Sequence, residues 1–306
     1  MTAGPPVPLE RRDVYRRSLV DGQAADDGPF ARAGRRLQRL LVTRSEHEEA
    51  ALEQRLRSLP GVSRANTVAL ISPKGGVGKT SMTFVAANLL ASHLKLRVVA
   101  VDANPDFGTL ARLAPDDRRC ERGLDELLRD ADRLHTAAEL GPYVTRLATG
   151  LHVLGAPRDP EVAARLGPDR YGELVAFLSC FYEVVLLDLG TGVVGPLARF
   201  AVERADQLVV VTTPEWVTSV AVLEALAHLH HERTTVAVNK APARPAASDA
   251  IEQRFRAERL HRAMTFPFDA QLATMLDSGT YALEALRASA RVAIKRLGLA
   301  VAEQMV

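Results

Sequence analysis

Seven short runs of apolar, mostly β-branched residues alternate along this 306-residue chain with longer stretches of helical spacing. Several of the runs show no polar alternation, which is typical of strands that are covered on both faces. Strands that alternate with helices predict an α/β fold, in which a mostly parallel twisted sheet carries helices on both sides. The predicted strands are TVALIS (67–72), RVVAVD (97–102), LHVLG (151–155), EVVLLD (183–188), QLVVVTT (207–213), TTVAVN (234–239) and MTFPF (264–268).

Helices are predicted between most of these strands, where apolar residues recur every three or four positions. The predicted helices span 81–93, 123–128, 173–181, 219–230, 249–262 and 281–301. The piece KAPARPAASD (240–249) is rich in proline and alanine, and it is predicted to be a long surface loop.

Composition divides the chain into three parts. Residues 1–33 contain four prolines, charged runs and no apolar period, so a disordered tail is predicted there. Residues 34–64 carry leucines at helical spacings, broken by the charged stretch 44–49. They are predicted to form a helical extension of one or two helices, which is docked on the domain or used as a contact arm. Residues 65–306 are then the α/β domain.

The charge balance and the apolar content exclude several classes of protein. With 39 basic and 37 acidic residues the net charge is +2, so nucleic acid or anionic lipid could bind only through a local patch. No apolar run reaches the roughly 18 residues of a spanning helix, and no secretory signal opens the chain, so a cytoplasmic protein is expected. Cys120 and Cys180 lack partners at zinc or redox spacing and are expected to be buried thiols.

The segment PKGGVGKTS (73–81) follows the first predicted strand directly and precedes a helix, which is the context that a phosphate-binding loop requires. Its glycines allow a tight turn whose backbone N–H groups point at phosphate oxygens. Lys79 would reach the β- and γ-phosphates, and Thr80 would bind Mg²⁺. The alternative is a glycine-rich turn that only joins a strand to a helix. The predicted nucleotide contacts in this loop are Lys74, Gly75, Gly76, Val77, Gly78, Lys79, Thr80 and Ser81.

The loop departs from the common form, because Pro73 replaces its first glycine and a second lysine, Lys74, follows. KGGVGKT resembles the deviant Walker A loop of the MinD/ParA family of P-loop ATPases, and the resemblance extends from about Thr67 to the C-terminus. It implies that ATP and Mg²⁺ are the cofactors and that ATP binding drives homodimerisation. It also implies that Lys74 crosses the dimer interface to the partner's nucleotide.

The same resemblance assigns roles to a first switch, VVAVDANPDFGTL (98–110). In the family a D-x-D core holds Mg²⁺ through water with its first carboxylate and positions the attacking water with its second. Asp102 keeps the first position, whereas Asn104 replaces the second aspartate, so slow intrinsic hydrolysis is expected. Asp106 could substitute if the switch bends back, or it could be an ordinary turn residue.

Two further segments complete the implied site. EVVLLDLGTG (183–192) resembles a Walker B strand, in which Asp188 would hold a Mg²⁺-bound water. Asn239 and Lys240 occupy the position whose asparagine recognises adenine in the family, and Pro267 and Asp269 would line the other side of the base.

Three roles remain open for such an ATPase, all of them compatible with a spatial or assembly regulator. A DNA-partitioning protein would bind DNA through Arg254, Arg256, Arg259 and Arg262 on one predicted helix, or through Arg287, Arg291, Lys295 and Arg296 near the end. The alternative for this last helix is a core-packed helix with a solvated basic edge.

Membrane association of the MinD type ranks lower, because the end of the chain has no basic residue after Arg296 and no aromatic anchor. The third role is a nearly inactive accessory protein of a secretion, flagellar or pilus apparatus, with a protein partner bound through the N-terminal extension. The arginine-rich N-terminal extension and the segment DANPDFGTL (102–110) resemble those of actinobacterial proteins of that kind.

Overall fold

The computed structural model of the chain describes residues 44–104, 108–193, 195–228, 231–242, 245–257 and 262–306. Residues Ser45–Val306 form one compact unit. The helices in the described part are α1 (44–57), α2 (Lys79–His93), α3 (Leu124–Asp130), α4 (Pro160–Arg165), α5 (Pro168–Ser179), α6 (Pro196–Arg204), α7 (Trp216–His228), α8 (Pro245–Ala257), α9 (Ala270–Ser278) and α10 (Ala288–Ala302). None of them is long and apolar enough to cross a membrane.

Eight strands of the described part form one sheet in the order β3-β4-β2-β5-β1-β6-β7-β8. They are β1 (Asn66–Ile71), β2 (Val98–Ala103), β3 (Thr145–Arg146), β4 (His152–Leu154), β5 (Val184–Leu189), β6 (Gln207–Thr212), β7 (Thr234–Ala241) and β8 (Arg262–Pro267). Every pairing is parallel except that of the short β3 with β4. The predicted α/β class with a mostly parallel sheet is confirmed.

Two hydrophobic cores cover the sheet, one on each face. Successive residues of a strand point to opposite faces, so in β1 Val68 and Leu70 enter one core while Ala69 and Ile71 enter the other. The first core packs against α2, α9 and α10, and the second against α3, α5, α6, α7 and α8. Burial on both faces explains why the predicted strands are continuous apolar runs.

Helix α1 docks on α10. Leu52 and Leu56 pack against Val292 and Leu299 in a small apolar cluster. The charged stretch 44–49 is itself helical. Residues 34–43 lie outside the described residues, so the choice between one helix and two stays a prediction. Residues 45–64, which the sequence separates from the α/β domain, belong to the same compact unit as the sheet.

Several local predictions are corrected by the structure. The predicted loop 240–249 is wrong, because β7 extends to Ala241 and α8 begins at Pro245. Proline fits the first turn of a helix, where its missing N–H has no intrahelical partner. Helices α4, α6 and α9 and strand β3 were not predicted, because each is too short to show a clear apolar period. The cysteines also differ from expectation: Cys120 is half-buried and Cys180 is exposed.

Candidate nucleotide site

The glycine-rich loop joins β1 to α2 and curls around a cavity of about 440 Å³. Gly76 and Gly78 have φ values of 75° and 91°, a left-handed backbone that glycine adopts without steric cost. Gly78 is also the N-cap of α2, so the helix N-terminus opens onto the cavity. All eight residues predicted in this loop, 74–81, line it. A concave row of N–H groups at a helix N-terminus favours a phosphate.

Lys79 and Asp188 meet at the base of the loop. Lys79 Nζ lies 3.6 Å from Asp188 Oδ1, and both side chains are buried. Asp188 lies near the carboxyl end of β5 and accepts hydrogen bonds from the hydroxyls of Thr80 and Thr83. Burial raises the pKa of Asp188, while the Lys79 ammonium opposes that rise. A cation beside a carboxylate at this point can balance either phosphate or metal charge.

Asp102 stands beside Asp188 on the neighbouring strand. The two residues are register partners of β2 and β5. Burial, together with the Asp188 charge, raises the pKa of Asp102 to about 7. Its carboxylate accepts from the backbone N–H groups of Asn104 (3.3 Å) and Leu110 (2.8 Å). Two buried carboxylates beside a threonine hydroxyl are the hard oxygen ligands that suit Mg²⁺, so the predicted metal set of Thr80, Asp102 and Asp188 is chemically consistent.

Of the two residues predicted to position the attacking water, the structure describes Asn104 and not Asp106. Asn104 follows β2 directly and lines the cavity. Asp106 lies outside the described residues, so its predicted role stays a prediction.

Lys74 points away from this cluster. Its side chain is exposed, and its Nζ donates to Thr218 Oγ1 on α7 over 3.3 Å. Lys79 therefore lies buried inside the phosphate loop, whereas Lys74 lies at the solvent-exposed mouth of the cavity.

The four residues predicted to surround the base all line the cavity. Asn239 Nδ2 donates to Val77 O (2.8 Å), and Lys240 Nζ donates to Gly76 O (2.9 Å). Asp269 accepts from Gln271 N at the start of α9 and from Arg287 N at the start of α10. Its carboxylate thus caps two helices, a structural task that the sequence did not indicate. Pro267 lies on the wall of the cavity.

The apolar wall of the cavity was missed from the sequence. Phe268 keeps 59% of its surface exposed at the cavity, and the residues Leu272, Ala273 and Leu276 of α9 lie beside it. Their apolar spacing of i, i+1 and i+4 was the available signal. Helix α9 has only nine residues, and about two and a half turns of helical period are hard to distinguish from a loop.

The predicted DNA-binding helix is not present as a unit. Helix α8 ends at Ala257, Arg259 lies outside the described residues, and Arg262 belongs to β8. Arg262 donates to Ala300 O (2.9 Å), and Arg256 pairs with Glu252. Arg254 lies on α8 and has an interaction of its own.

The basic face of α10 is covered by α1. Arg291 makes a two-pronged pair with Glu49, and Lys295 Nζ lies 2.8 Å from Glu49 Oε1 and 3.3 Å from Glu53 Oε2. Lys295 is only 2% exposed, and Arg296 pairs with Glu48. Apolar burial against the sheet, seen for Ala290, Ile294 and Leu297, supports the core-packed alternative for this helix. Arg291 and Lys295 of its basic edge thus face a glutamate of the same chain, whereas the side chains of Arg296 and Arg287 stay 43% and 59% exposed.

Comparison with known proteins agrees with this geometry. Residues 68–279 match the family described as the CobQ/CobB/MinD/ParA nucleotide binding domain. A ParA family ATPase from Chlorobium tepidum has a similar structure, with a TM-score of 0.65 and 22% identity over 76% of this chain and 98% of that one. The septum site-determining protein MinD from Pyrococcus horikoshii, solved with Mg-ADP, has a TM-score of 0.58 and 19% identity over 77% of this chain and 94% of that one.

A sequence relative is the ESX-1 secretion-associated protein EspI of Mycobacterium tuberculosis, which is 29% identical over 174 residues. That match covers 57% of this chain but only 25% of EspI, so the chain spans a quarter of its relative's length.

The family match covers more than half of the chain, and the phosphate loop, the paired carboxylates and the parallel sheet lie within it. The chain therefore belongs to the CobQ/CobB/MinD/ParA family of nucleotide-binding proteins.

Proposed function

We propose that this chain is an ATP- and Mg²⁺-dependent P-loop ATPase that dimerises on ATP binding and regulates the assembly or position of a larger machine. One observation carries the proposal: the two lysines of the phosphate loop lie in different environments. Lys79 is buried beside Asp188, whereas Lys74 is exposed at the mouth of the cavity. Titration with ATP and Mg²⁺ tests the first step. Saturable binding of one ATP per chain supports it, and an absence of binding contradicts it.

Each part of the site has a definite task in this proposal. The loop N–H groups and Lys79 hold the phosphates, while Thr80, Asp102 and Asp188 hold Mg²⁺ directly or through water. When bound, Mg²⁺ supplies positive charge between two phosphates. The placement of Asp102 and Asp188 as buried register partners supports this assignment, because a divalent cation compensates two adjacent buried carboxylates.

Lys74 supplies the coupling between nucleotide and dimer. A lysine contributed by a partner neutralises phosphate only in the dimer, so ATP has a higher affinity for that state than for the monomer. The Lys74 ammonium donates a long, partly buried hydrogen bond of 3.3 Å to Thr218, which is weak enough to exchange for a phosphate.

The cargo that we favour is a protein assembly, as in the accessory alternative. Two observations support this choice. Arg291 and Lys295 form ion pairs with Glu49, so these two cations are less available for DNA phosphates. The relative EspI is named as secretion-associated, which favours a secretion apparatus over a flagellum or a pilus. DNA partitioning and MinD-like membrane association remain the competing proposals.

We expect no ATP-dependent DNA binding at physiological salt. Non-specific DNA binding requires several free cations near phosphates and weakens steeply with salt. Mobility-shift titrations with and without ATP, at about 50 and 150 mM salt, measure this, and the Glu49→Gln variant is the informative comparison. Salt-sensitive, ATP-dependent binding by the unmodified protein would favour partitioning instead.

We expect Asn104→Asp to raise the basal rate of ATP hydrolysis about tenfold or more, because a carboxylate can orient the attacking water and accept its proton. ATP affinity should remain unchanged, since the groups that hold phosphate and Mg²⁺ are kept. Single-turnover hydrolysis at saturating Mg²⁺ compares the two proteins. Equal rates would show that another residue aligns the water, and Asp106 would be the next to replace.

A further inference from the structure

Two consecutive residues at the end of β7 hold two consecutive carbonyls of the phosphate loop. Lys240 Nζ donates to Gly76 O over 2.9 Å, and Asn239 Nδ2 donates to Val77 O over 2.8 Å. The pair is also linked internally, because Lys240 N donates to Asn239 Oδ1 over 2.9 Å. Contacts between residues more than 160 positions apart thus converge on one short stretch of loop.

This arrangement is unusual for a strand. Neighbouring side chains of a regular strand point to opposite faces of the sheet, so Asn239 and Lys240 should not reach the same loop. The backbone changes at this point: Lys240 has a φ of 58°, and the pairing of β7 with β8 shifts register between Val238 and Ala241. A left-handed backbone is sterically costly for lysine. The irregularity turns the Lys240 side chain to the side on which Asn239 already lies.

Holding a carbonyl also orients the N–H of the same peptide plane, because the peptide bond is rigid. Gly76 O shares its plane with the N–H of Val77, and Val77 O shares its plane with the N–H of Gly78. The flanking left-handed residues, Gly76 and Gly78, can rotate more freely than any other residue type. Without external contacts, these two N–H groups would sample many directions.

We propose that Lys240, together with Asn239, is a positioning residue that holds the phosphate loop in its binding conformation before nucleotide arrives. The inference rests on the proposed function, since it assumes that the loop binds nucleotide phosphates. Lys240 acts through the Val77 and Gly78 N–H groups and does not need to touch the nucleotide. Phosphate affinity therefore depends on a lysine of β7 that pre-organises the loop.

The first test compares nucleotide affinities of Lys240 variants by calorimetry. We expect Lys240→Met to bind Mg-ADP and Mg-ATP about fivefold more weakly, and by the same factor, since one hydrogen bond to the loop is lost. Lys240→Arg keeps a charged donor and should stay within about twofold of the parent. Lys95→Met is the matched control, because Lys95 is also left-handed (φ 56°) and exposed but follows the far end of α2. It should bind like the parent.

The second test separates loop positioning from a folding defect. Hydrogen exchange of the nucleotide-free protein should become faster in the peptide covering 73–81 of Lys240→Met and stay unchanged elsewhere. Lys240→Asn tolerates the left-handed backbone but cannot reach Gly76. It should keep the parent's unfolding temperature within about 2 °C. It should bind nucleotide about fivefold more weakly, as expected for the loss of one hydrogen bond.

Three results would overturn this inference. Parent-like affinity in Lys240→Met would show that the loop needs no help from β7. Weaker binding of ATP with unchanged binding of ADP would show that Lys240 contacts the γ-phosphate directly. Unchanged exchange of 73–81 would show that the loop is equally ordered without Lys240. Failure of the parent to bind either nucleotide is a different outcome, which would contradict the proposed function itself.

Discussion

Replacing Lys79 by alanine is expected to remove most of the nucleotide affinity. Lys79 is the buried cation of the phosphate loop, 3.6 Å from Asp188. A hydrogen bond to a charged group contributes roughly 1.5–3 kcal/mol, so ADP and ATP affinity should fall about tenfold to a hundredfold or more. Calorimetric titration with Mg-ATP measures the loss. Thermal unfolding of the nucleotide-free variant is the control, because Asp188 loses its neighbouring cation.

Lys74→Ala should behave differently from Lys79→Ala. Lys74 is exposed, and its side chain makes only a long, neutral-acceptor hydrogen bond of 3.3 Å to the Thr218 hydroxyl, so the variant should fold normally and bind ATP within about twofold of the parent. ATP-driven dimerisation should be lost, since the charge offered to the partner's nucleotide is gone. Size-exclusion chromatography with ATP and Mg²⁺ decides the point, with Lys95→Ala as a control for removal of an exposed lysine. If the ATP-dependent dimer persists in Lys74→Ala, Lys74 does not act on the nucleotide of the partner molecule.

The second large effect is expected from the ion pairs between α1 and α10. Lys295→Ala should lower the free energy of unfolding by about 2–3 kcal/mol, because it breaks a buried ion pair and leaves a cavity, while Arg291 still pairs with Glu49. Lys295 is 2% exposed and contacts both Glu49 and Glu53. Urea unfolding at pH 7 measures the change. Arg55→Ala, which removes an exposed pair with Glu303, is the matched control and should cost about 1 kcal/mol or less.

The pH dependence of this cluster has a definite sign. Burial by itself would raise the pKa of Glu49, but hydrogen bonds from Arg291 and Lys295 outweigh it and hold the pKa below its ordinary value of 4.5. A carboxyl group with a lowered pKa in the folded state stabilises the fold above pH 4.5, and that contribution is lost as the pH falls through the folded value. The gap in stability between parent and Lys295→Ala should therefore narrow below pH 4.5. A gap that is constant with pH would assign the effect to packing alone.

The contacts of α1 are linked to the phosphate loop through α10 and α2. Glu48, Glu49 and Glu53 occupy the cations of α10, and α10 packs on α2, the helix that begins with Lys79. Variants that release α1 should therefore be examined for nucleotide affinity as well as for stability.

The predictions that the structure confirmed rested on patterns within short stretches of sequence. Each long strand is a run of apolar residues whose burial on both faces is visible in its own sequence, and the phosphate loop is contiguous from Pro73 to Ser81. The predictions that failed depended on weak or misleading local signals. Proline at 245 indicated a loop but begins α8, and prolines also lie at the starts of α4, α5 and α6.

The sequence by itself therefore determined the α/β class, the order of most strands and helices along the chain, and the loop with its two lysines, because each depends on neighbours within about ten residues. Only the tertiary structure decided what the other cations face. Lys295 and Glu49 are 246 positions apart, and Lys240 and Gly76 are 164 apart. The charge of a side chain is the same whether DNA, solvent or a glutamate lies opposite, so its partner depends on how distant helices and strands pack.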